Sequence, residues 1–178
     1  MRRLIALAAF ALLPVAAEDV VARNLKSLFD GYKLNAVAAA EKFSENDYAF
    51  RPTPDVMTVH ELIGHLADAN YSLCSQMKAE KNPDAGGNAK RNVSKAAAIG
   101  ALATSFDYCL AAIDAVDGKM AEKTAAKMPR DKAWVALHLL DHTALHYGNL
   151  ITYMRLKGIV PPETERQVRA TAAAAAKN

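Results

Sequence analysis

The chain has 178 residues, enough for one domain with a sizeable core but too few for two ordinary domains. Apolar residues make up 52% and aromatic residues 7%, a balance that favours helices packed on helices over a β-sandwich. The formal net charge is +3, and no run of basic residues with interleaved aromatics is present, so we expect no nucleic-acid partner.

Residues 1–17 have the features of an export signal. The stretch begins with two arginines, continues in an apolar run and ends on two alanines. This run is shorter than the about 20 residues that span a bilayer, and we expect no later stretch to be long enough for a membrane span. We therefore predict a cleaved signal peptide, a mature protein beginning near Glu18, and a periplasmic or secreted location. An N-terminal anchor or a first core helix is the alternative.

Apolar side chains recur at helical spacing in four segments, which we predict as helices over residues 19–42, 58–78, 94–116 and 130–157. Thr58 and Glu61 form a capping-box pattern, Ser94 is a candidate N-cap, and Gly158 is a natural helix stop. Four amphipathic helices of this length predict an all-α four-helix bundle over residues 18–162. Residues 163–178 are expected to form a frayed or disordered alanine-rich tail.

The fourth segment carries two histidines four residues apart, His142 and His146. Positions four apart differ by about 40° around a helix, so both side chains point the same way, together with Leu139 and Leu150. Buried imidazoles need hydrogen-bond partners or a metal ion that accepts their lone pairs. The pair alone leaves open a position at the rim, where water or carbonyl groups satisfy both rings.

A third histidine, His65, shares a face of the second segment with Leu62 and therefore also points inward. Two ligands from one helix and one from another commonly build a metal site inside a bundle. His60 lies about 140° away and is expected to be exposed. His138, four residues before His142, is a competing ligand, a partner of a ligand, or an ordinary histidine at the core edge.

Three stretches, TVHELIGHLADANYSLC, HTALHYGNLITYMRLKGIVPP and YAFRPTPDV, resemble the DinB-like superfamily, and the resemblance covers about residues 18–162. It implies a four-helix bundle with a long crossover between helices 2 and 3, in agreement with the turn-rich segment 81–93. It also implies a divalent metal held by three histidines, which correspond here to His65, His142 and His146. The export signal is a departure from the cytoplasmic members.

Three neutral imidazoles leave at least one coordination position of the metal open. Such an ion polarises a carbonyl, lowers the pKa of a bound water to about 7, or binds a thiolate. Zn²⁺ and Ni²⁺ suit an imidazole set, with Fe²⁺ and Mn²⁺ as alternatives. Asp68, one turn after His65, is a candidate carboxylate ligand or general base, or a capping residue. Tyr147 and Asn149 line a pocket or pack, and Arg155 binds an anionic group or forms a salt bridge.

Characterised members of the superfamily include thiol-dependent S-transferases and isomerases. The first hypothesis is therefore a metal-dependent enzyme acting on a small-molecule substrate, either a hydrolase or a thiol-dependent transferase. Hydrolysis suits an exported protein better, because such a protein does not readily meet cytoplasmic thiols. The second hypothesis is a non-catalytic protein whose metal staples the bundle, favoured by a closed site that His138 or Asp68 completes. A homodimer is compatible with both.

Cys74 and Cys109 are the two cysteines of the chain. In an oxidising compartment they are able to pair, whereas inside helices free cysteines often serve as small buried apolar residues. Both lie at about the same depth in their predicted helices, so they meet only if those helices are parallel neighbours.

Overall fold

The structure is a computed structural model that describes residues 20–84 and 86–176. The signal peptide predicted for residues 1–17 lies outside the described residues. Within the described ranges the protein is all-helical, with one isolated bridge between Lys123 and Asp131, which confirms the predicted fold class. Its helices are α1 (Val20–Lys42), α2 (Val59–Lys78), α3 (Lys95–Ala115), α4 (Lys132–Leu156) and α5 (Pro162–Ala175).

The helix ends follow signals that are legible in the sequence. Thr58 Oγ1 accepts a hydrogen bond from the Glu61 amide at 3.1 Å, and the Glu61 carboxylate accepts one from the Thr58 amide at 2.7 Å. This capping box starts α2. Ser94 caps α3 by accepting from an amide of its first turn. Gly158, with a φ of 70°, follows α4 in the left-handed conformation that glycine adopts easily.

Helix α4 begins two residues later than predicted, because the chain before it is held in an ordered loop. The Thr124 amide donates to the Arg130 carbonyl, and the Lys132 amide donates to the Glu122 carbonyl, both at 2.8 Å. Because these bonds already occupy the Arg130 carbonyl and the Lys132 amide, the two groups are not available for an additional helical turn before Lys132.

The directions of the helices show how the bundle is connected. Asn70 donates to Ser105 at 3.0 Å and Cys74 is bonded to Cys109, so α2 and α3 run parallel. Lys26 pairs with Asp114 and Lys33 with Asp107, so α1 runs antiparallel to α3. Helix α4 likewise runs antiparallel to α2, and α1 also contacts α4, which closes the ring. Parallel α2 and α3 require the chain between them to return along the bundle, as the predicted crossover does.

The core lies at the centre of this ring. The rings of Phe29 on α1 and Phe106 on α3 meet with centroids 4.9 Å apart. Other large side chains that are essentially inaccessible to water are Phe43, Leu62, Ile63, Leu66, Met77, Leu102, Ile113, Leu139, Leu150 and Met154. All four bundle helices contribute to this apolar burial, which supplies the main driving force for folding.

The crossover packs directly against α2. A Cβ atom added at Gly64 would lie 2.4 Å from backbone atoms of Asn88 and Ala89, so glycine is required for this close approach. One turn later, Asp68 Oδ1 accepts from the Asn88 amide at 3.0 Å and from its side-chain nitrogen at 2.7 Å. Asp68 Oδ2 accepts from the Ala89 amide at 3.3 Å. The middle of the crossover is thus fixed to α2.

The two cysteines form a disulfide, which decides between the two alternatives that the sequence left open. Their Cα atoms are 5.2 Å apart, and both residues are fully buried. Because α2 and α3 are parallel neighbours, similar depths in the two helices bring the cysteines to one level.

Two features differ from expectation. The C-terminal segment, expected to be a frayed helix or a disordered tail without packing, forms α5, and its start packs on α1 through Lys42–Glu165 at 2.8 Å and an Arg166–Asn35 hydrogen bond. A proline start and alanine-rich composition favour this helix. Of the described helices, α3 is long and apolar enough to cross a membrane by length and composition. The expectation that no later stretch reaches that length was wrong, although α3 packs as a core helix.

Candidate metal centre

Three histidines from two helices meet between α2 and α4. His65 lies in the second turn of α2, and His142 and His146 lie one turn apart in the middle of α4. The ring centroids are separated by 5.0 Å between His65 and His142, 4.7 Å between His65 and His146, and 4.4 Å within the α4 pair. One ring nitrogen of each lies within 4.8 Å of the others. The predicted convergence of these imidazoles is therefore present.

One pair of nitrogens already has the spacing that a common metal ion requires. His65 Nε2 and His142 Nε2 are 3.1 Å apart. With Zn–N bonds of about 2.0–2.1 Å, two nitrogens on one Zn²⁺ lie about 2.9–3.4 Å apart when the N–Zn–N angle is between about 90° and the tetrahedral angle. Without an ion, one of the two nitrogens must carry a proton and donate to the other.

The outer nitrogens of the α4 pair have different surroundings. His146 Nδ1 lies 3.5 Å from the side-chain nitrogen of Asn149, which places an amide group beside that ring edge. Rotating this amide by 180° exchanges its oxygen and nitrogen, and in that orientation the Asn149 oxygen accepts a hydrogen bond from Nδ1–H. His142 Nδ1 is buried and has no hydrogen-bond partner. Asn149 is thus the described side chain that supports a ligand ring.

The electrostatics keep the two α4 rings neutral. Burial is the largest cause and repulsion by His146, His65 and His138 adds to it; together they lower the pKa of His142 to about 4. Burial and then His65 lower the pKa of His146. At neutral pH both rings therefore have a free lone pair, and a metal ion binds them without first displacing a proton.

His138 belongs to a ladder of side chains at four-residue spacing along α4. The ring of His138 stacks on Trp134, with centroids 5.0 Å apart. The Arg130 guanidinium lies over the Trp134 ring, 4.9 Å from its centroid. The His138 ring is 6.2 Å from that of His142 and is not part of the nitrogen cluster. The sequence reasoning missed Trp134, although its spacing from His138 was a readable signal.

The other candidate residues lie outside the cluster. The oxygens of Asp68 bind the crossover, which is the capping role that the sequence left as an alternative to a catalytic one. His60 is half-buried, with Nε2 2.5 Å from the Arg91 carbonyl oxygen, so the expectation that it is exposed was wrong. Its partner belongs to the crossover, which lies far along the chain. Tyr147 packs edge-on against Tyr32, with ring centroids 5.9 Å apart.

Taken together, the crossover bundle and the histidine cluster define a class of helical proteins with a candidate divalent-metal centre. The family model of the DinB superfamily matches residues 34–150, and the chain belongs to that superfamily. A DinB-like protein from Bacillus subtilis (YjoA) superposes with a TM-score of 0.63 at 16% identity, covering 77% of this chain and 93% of that one.

A DinB-like protein from Bacillus cereus ATCC 10987 superposes with a TM-score of 0.69 at 10% identity, covering 83% of this chain and 98% of that one. No curated protein matches the chain. At such low identities the two solved structures establish the fold alone.

Proposed function

We propose that this protein is an exported DinB-like metalloprotein that holds one divalent ion through His65, His142 and His146 and uses it in catalysis. The observation that carries the proposal is the meeting of three imidazoles from two helices, with ring nitrogens within 4.8 Å of one another. A divalent ion held there would supply Lewis acidity toward a carbonyl group or a water molecule. Zn²⁺ and Ni²⁺ suit this all-nitrogen set, and Fe²⁺ and Mn²⁺ are alternatives.

The number of protein ligands favours an enzyme over a stapled structural protein. A structural site usually closes with four protein ligands, whereas a catalytic site keeps a position open. The two residues able to close this site are otherwise engaged: His138 stacks on Trp134, and Asp68 accepts three hydrogen bonds from the crossover. Within the described residues the cluster has three members, which leaves room for a small-molecule substrate.

Hydrolysis is the reaction type that these residues support best. His65 and His142 are half-buried, so the cluster is reachable from solvent at the seam between α2 and α4. Trp134, 46% exposed, and Leu145, 60% exposed, add apolar surface to α4 on the side of His138. Such surface suits the acyl or aryl part of an ester or amide. A thiol-dependent transfer is the second candidate, since an open position on such an ion also binds sulfur.

The disulfide supports the export part of the proposal. Disulfides persist in oxidising compartments outside the cytoplasm, and the Cys74–Cys109 bond is fully buried in the bundle. This agrees with the basic and apolar start of the sequence.

The test is the metal content of the protein purified from the exported fraction without added metal. We expect about one ion per chain in the wild type, and a large loss in His142→Ala. His138→Ala is the matched control, because it removes a half-buried imidazole from the same helix outside the cluster. Mass spectrometry of the same sample should give a mature terminus near Glu18.

The activity is tested on the same preparations with a panel of esters, amides and thiol adducts. An enzyme should show turnover that a chelator abolishes, that added metal restores, and that His142→Ala lacks. Equal metal loss in the two variants, or none in either, would contradict the site. Full loading with no turnover, together with a large drop in thermal midpoint on chelation, would favour the non-catalytic metal-stapled alternative.

A further inference from the structure

A second cleft, outside the histidine cluster, lies between α4 and the start of α5. Its volume is about 260 Å³, and its lining includes Tyr147, Ile151, Arg155, Pro161, Glu163 and Gln167. Ile151 and Pro161 supply an apolar wall, whereas the remaining side chains are polar or charged. A space of this size and mixed character suits a small organic molecule with one polar end.

Tyr147 lines the cleft, and its hydroxyl is an unsatisfied donor. Tyr147 is only 7% exposed, and its hydroxyl is buried without a hydrogen-bond partner. Two other buried tyrosines are satisfied: Tyr48 donates to the Ala40 carbonyl and Tyr153 to the Met57 carbonyl, both at 3.0 Å. A buried hydroxyl in a native protein normally has such a partner, so Tyr147 requires one that is not among the described protein groups.

Two side chains of opposite charge border the same cleft. Arg155 and Glu163 both line it beside Tyr147. Arg155 is exposed and makes no ion pair within the described part of the chain. Helix α5 begins beside the cleft, and its first-turn amides add partial positive charge there.

We propose that this cleft binds a small monocarboxylate. The Arg155 guanidinium binds the carboxylate, the Tyr147 hydroxyl donates to one of its oxygens, and the apolar body of the ligand lies against Ile151 and Pro161. A planar carboxylate matches the paired donors of a guanidinium. Phosphate is a poorer fit, because the Glu163 carboxylate on the rim repels a dianion more strongly than a monoanion.

This site does not depend on the proposed metal centre, and the experiment keeps the two apart. A carboxylate is also able to bind an open metal position, so the titration is run on the wild type and on His142→Ala. Benzoate is titrated into the full chain by calorimetry, with benzamide as its neutral counterpart and inorganic phosphate as the competing anion. Benzoate should bind saturably to His142→Ala, with the same affinity as at the cleft of the wild type, and benzamide should give no signal.

Single substitutions of Arg155 and Tyr147 test whether each side chain contacts the carboxylate. We expect Arg155→Gln to weaken benzoate binding about tenfold or more, because it removes a charge-assisted pair of hydrogen bonds. Tyr147→Phe should weaken binding several-fold while keeping the ring packed on Tyr32. Arg169→Gln is the matched control, since Arg169 is an exposed α5 arginine that pairs with Glu165 and does not line the cleft.

Four results would each overturn the proposal. They are no saturable benzoate binding, equal binding in Arg155→Gln and the wild type, loss of binding in His142→Ala, and tighter binding of phosphate than of benzoate. Circular dichroism of each variant shows that it is folded before titration. If Tyr147→Phe does not fold, Arg155→Lys replaces it: lysine keeps the charge without the planar fork, so binding weaker than in the wild type is expected.

Discussion

Removing the Cys74–Cys109 disulfide should cost this bundle a large part of its stability. The two cysteines are separated by 35 residues in the sequence, and for a loop of this length the chain-entropy relation gives about 4 kcal/mol. The cost arises mainly because the reduced unfolded chain explores conformations that the cross-linked chain does not reach. Both residues are fully buried, so replacing them also leaves a small space in the core.

The measurement is urea-induced unfolding of Cys74→Ala/Cys109→Ala, followed by circular dichroism, beside the oxidised and the reduced wild type. We expect the free energy of unfolding to fall by about 3–5 kcal/mol in the double variant. The dependence on urea should become steeper, because an unfolded state without the cross-link exposes more surface. The reduced wild type should fall close to the double variant.

The same variant distinguishes stability from metal binding. Cys74 lies about 14 Å along α2 from His65, and the α2–α4 contacts that unite the histidines do not involve the cysteines. Under conditions where the double variant is folded, its metal content should equal that of the wild type. A stability loss below about 1 kcal/mol would refute the loop-entropy reasoning, and loss of metal from the folded variant would show that the disulfide also positions α2.

Gly64→Ala should destabilise the protein by about 1–3 kcal/mol by chemical unfolding, because its Cβ would lie 2.4 Å from the backbone of residues 88–89. Gly31→Ala, at a helical site with nothing within 4 Å, should instead be neutral or stabilising; equal effects would contradict the close approach. The Lys157 ammonium lies 2.8 Å from the Asp47 carboxylate. Together with a hydrogen bond from Ser44, it lowers the pKa of Asp47 from 3.8 to about 2. This stabilisation is complete above pH 3.8 and lost as the pH falls through about 2, so acid unfolding curves of Asp47→Asn should lack up to about 2 kcal/mol of this dependence. A difference between wild type and Asp47→Asn that stays constant from pH 5 to about pH 2 would contradict the ion pair.

Much of the bundle was predictable because its signals are local. Thr58 and Glu61 form a capping box that involves only their own backbone and side chains, and Gly158 ends a helix through its own φ. The spacing of His142 and His146 fixes their common direction on any helix. The inward face of His65 was also readable from its own helix, but spacing within one helix does not identify its neighbour, and the family resemblance strengthened the prediction that the three histidines meet.

The features that sequence reasoning missed depend on groups distant in the chain. Asp68 finds its partners in the crossover, twenty residues away, and His60 finds its own at Arg91. The order of α5 depends partly on Lys42 and Asn35 of α1. Hydrophobic periodicity carries no information on such pairings, because it reports which face of a helix is buried and not which element covers it.

The separation of the histidines in the chain has a consequence for when an ion is captured. His65 and His142 are 77 positions apart, whereas His142 and His146 occupy adjacent turns of one helix. A nascent or partly unfolded chain therefore offers an ion two weakly restrained imidazoles, and the third arrives only when α2 docks on α4. For the proposed metal centre, retention of the ion would report completed assembly, and a process that unfolds the chain would also release the cation.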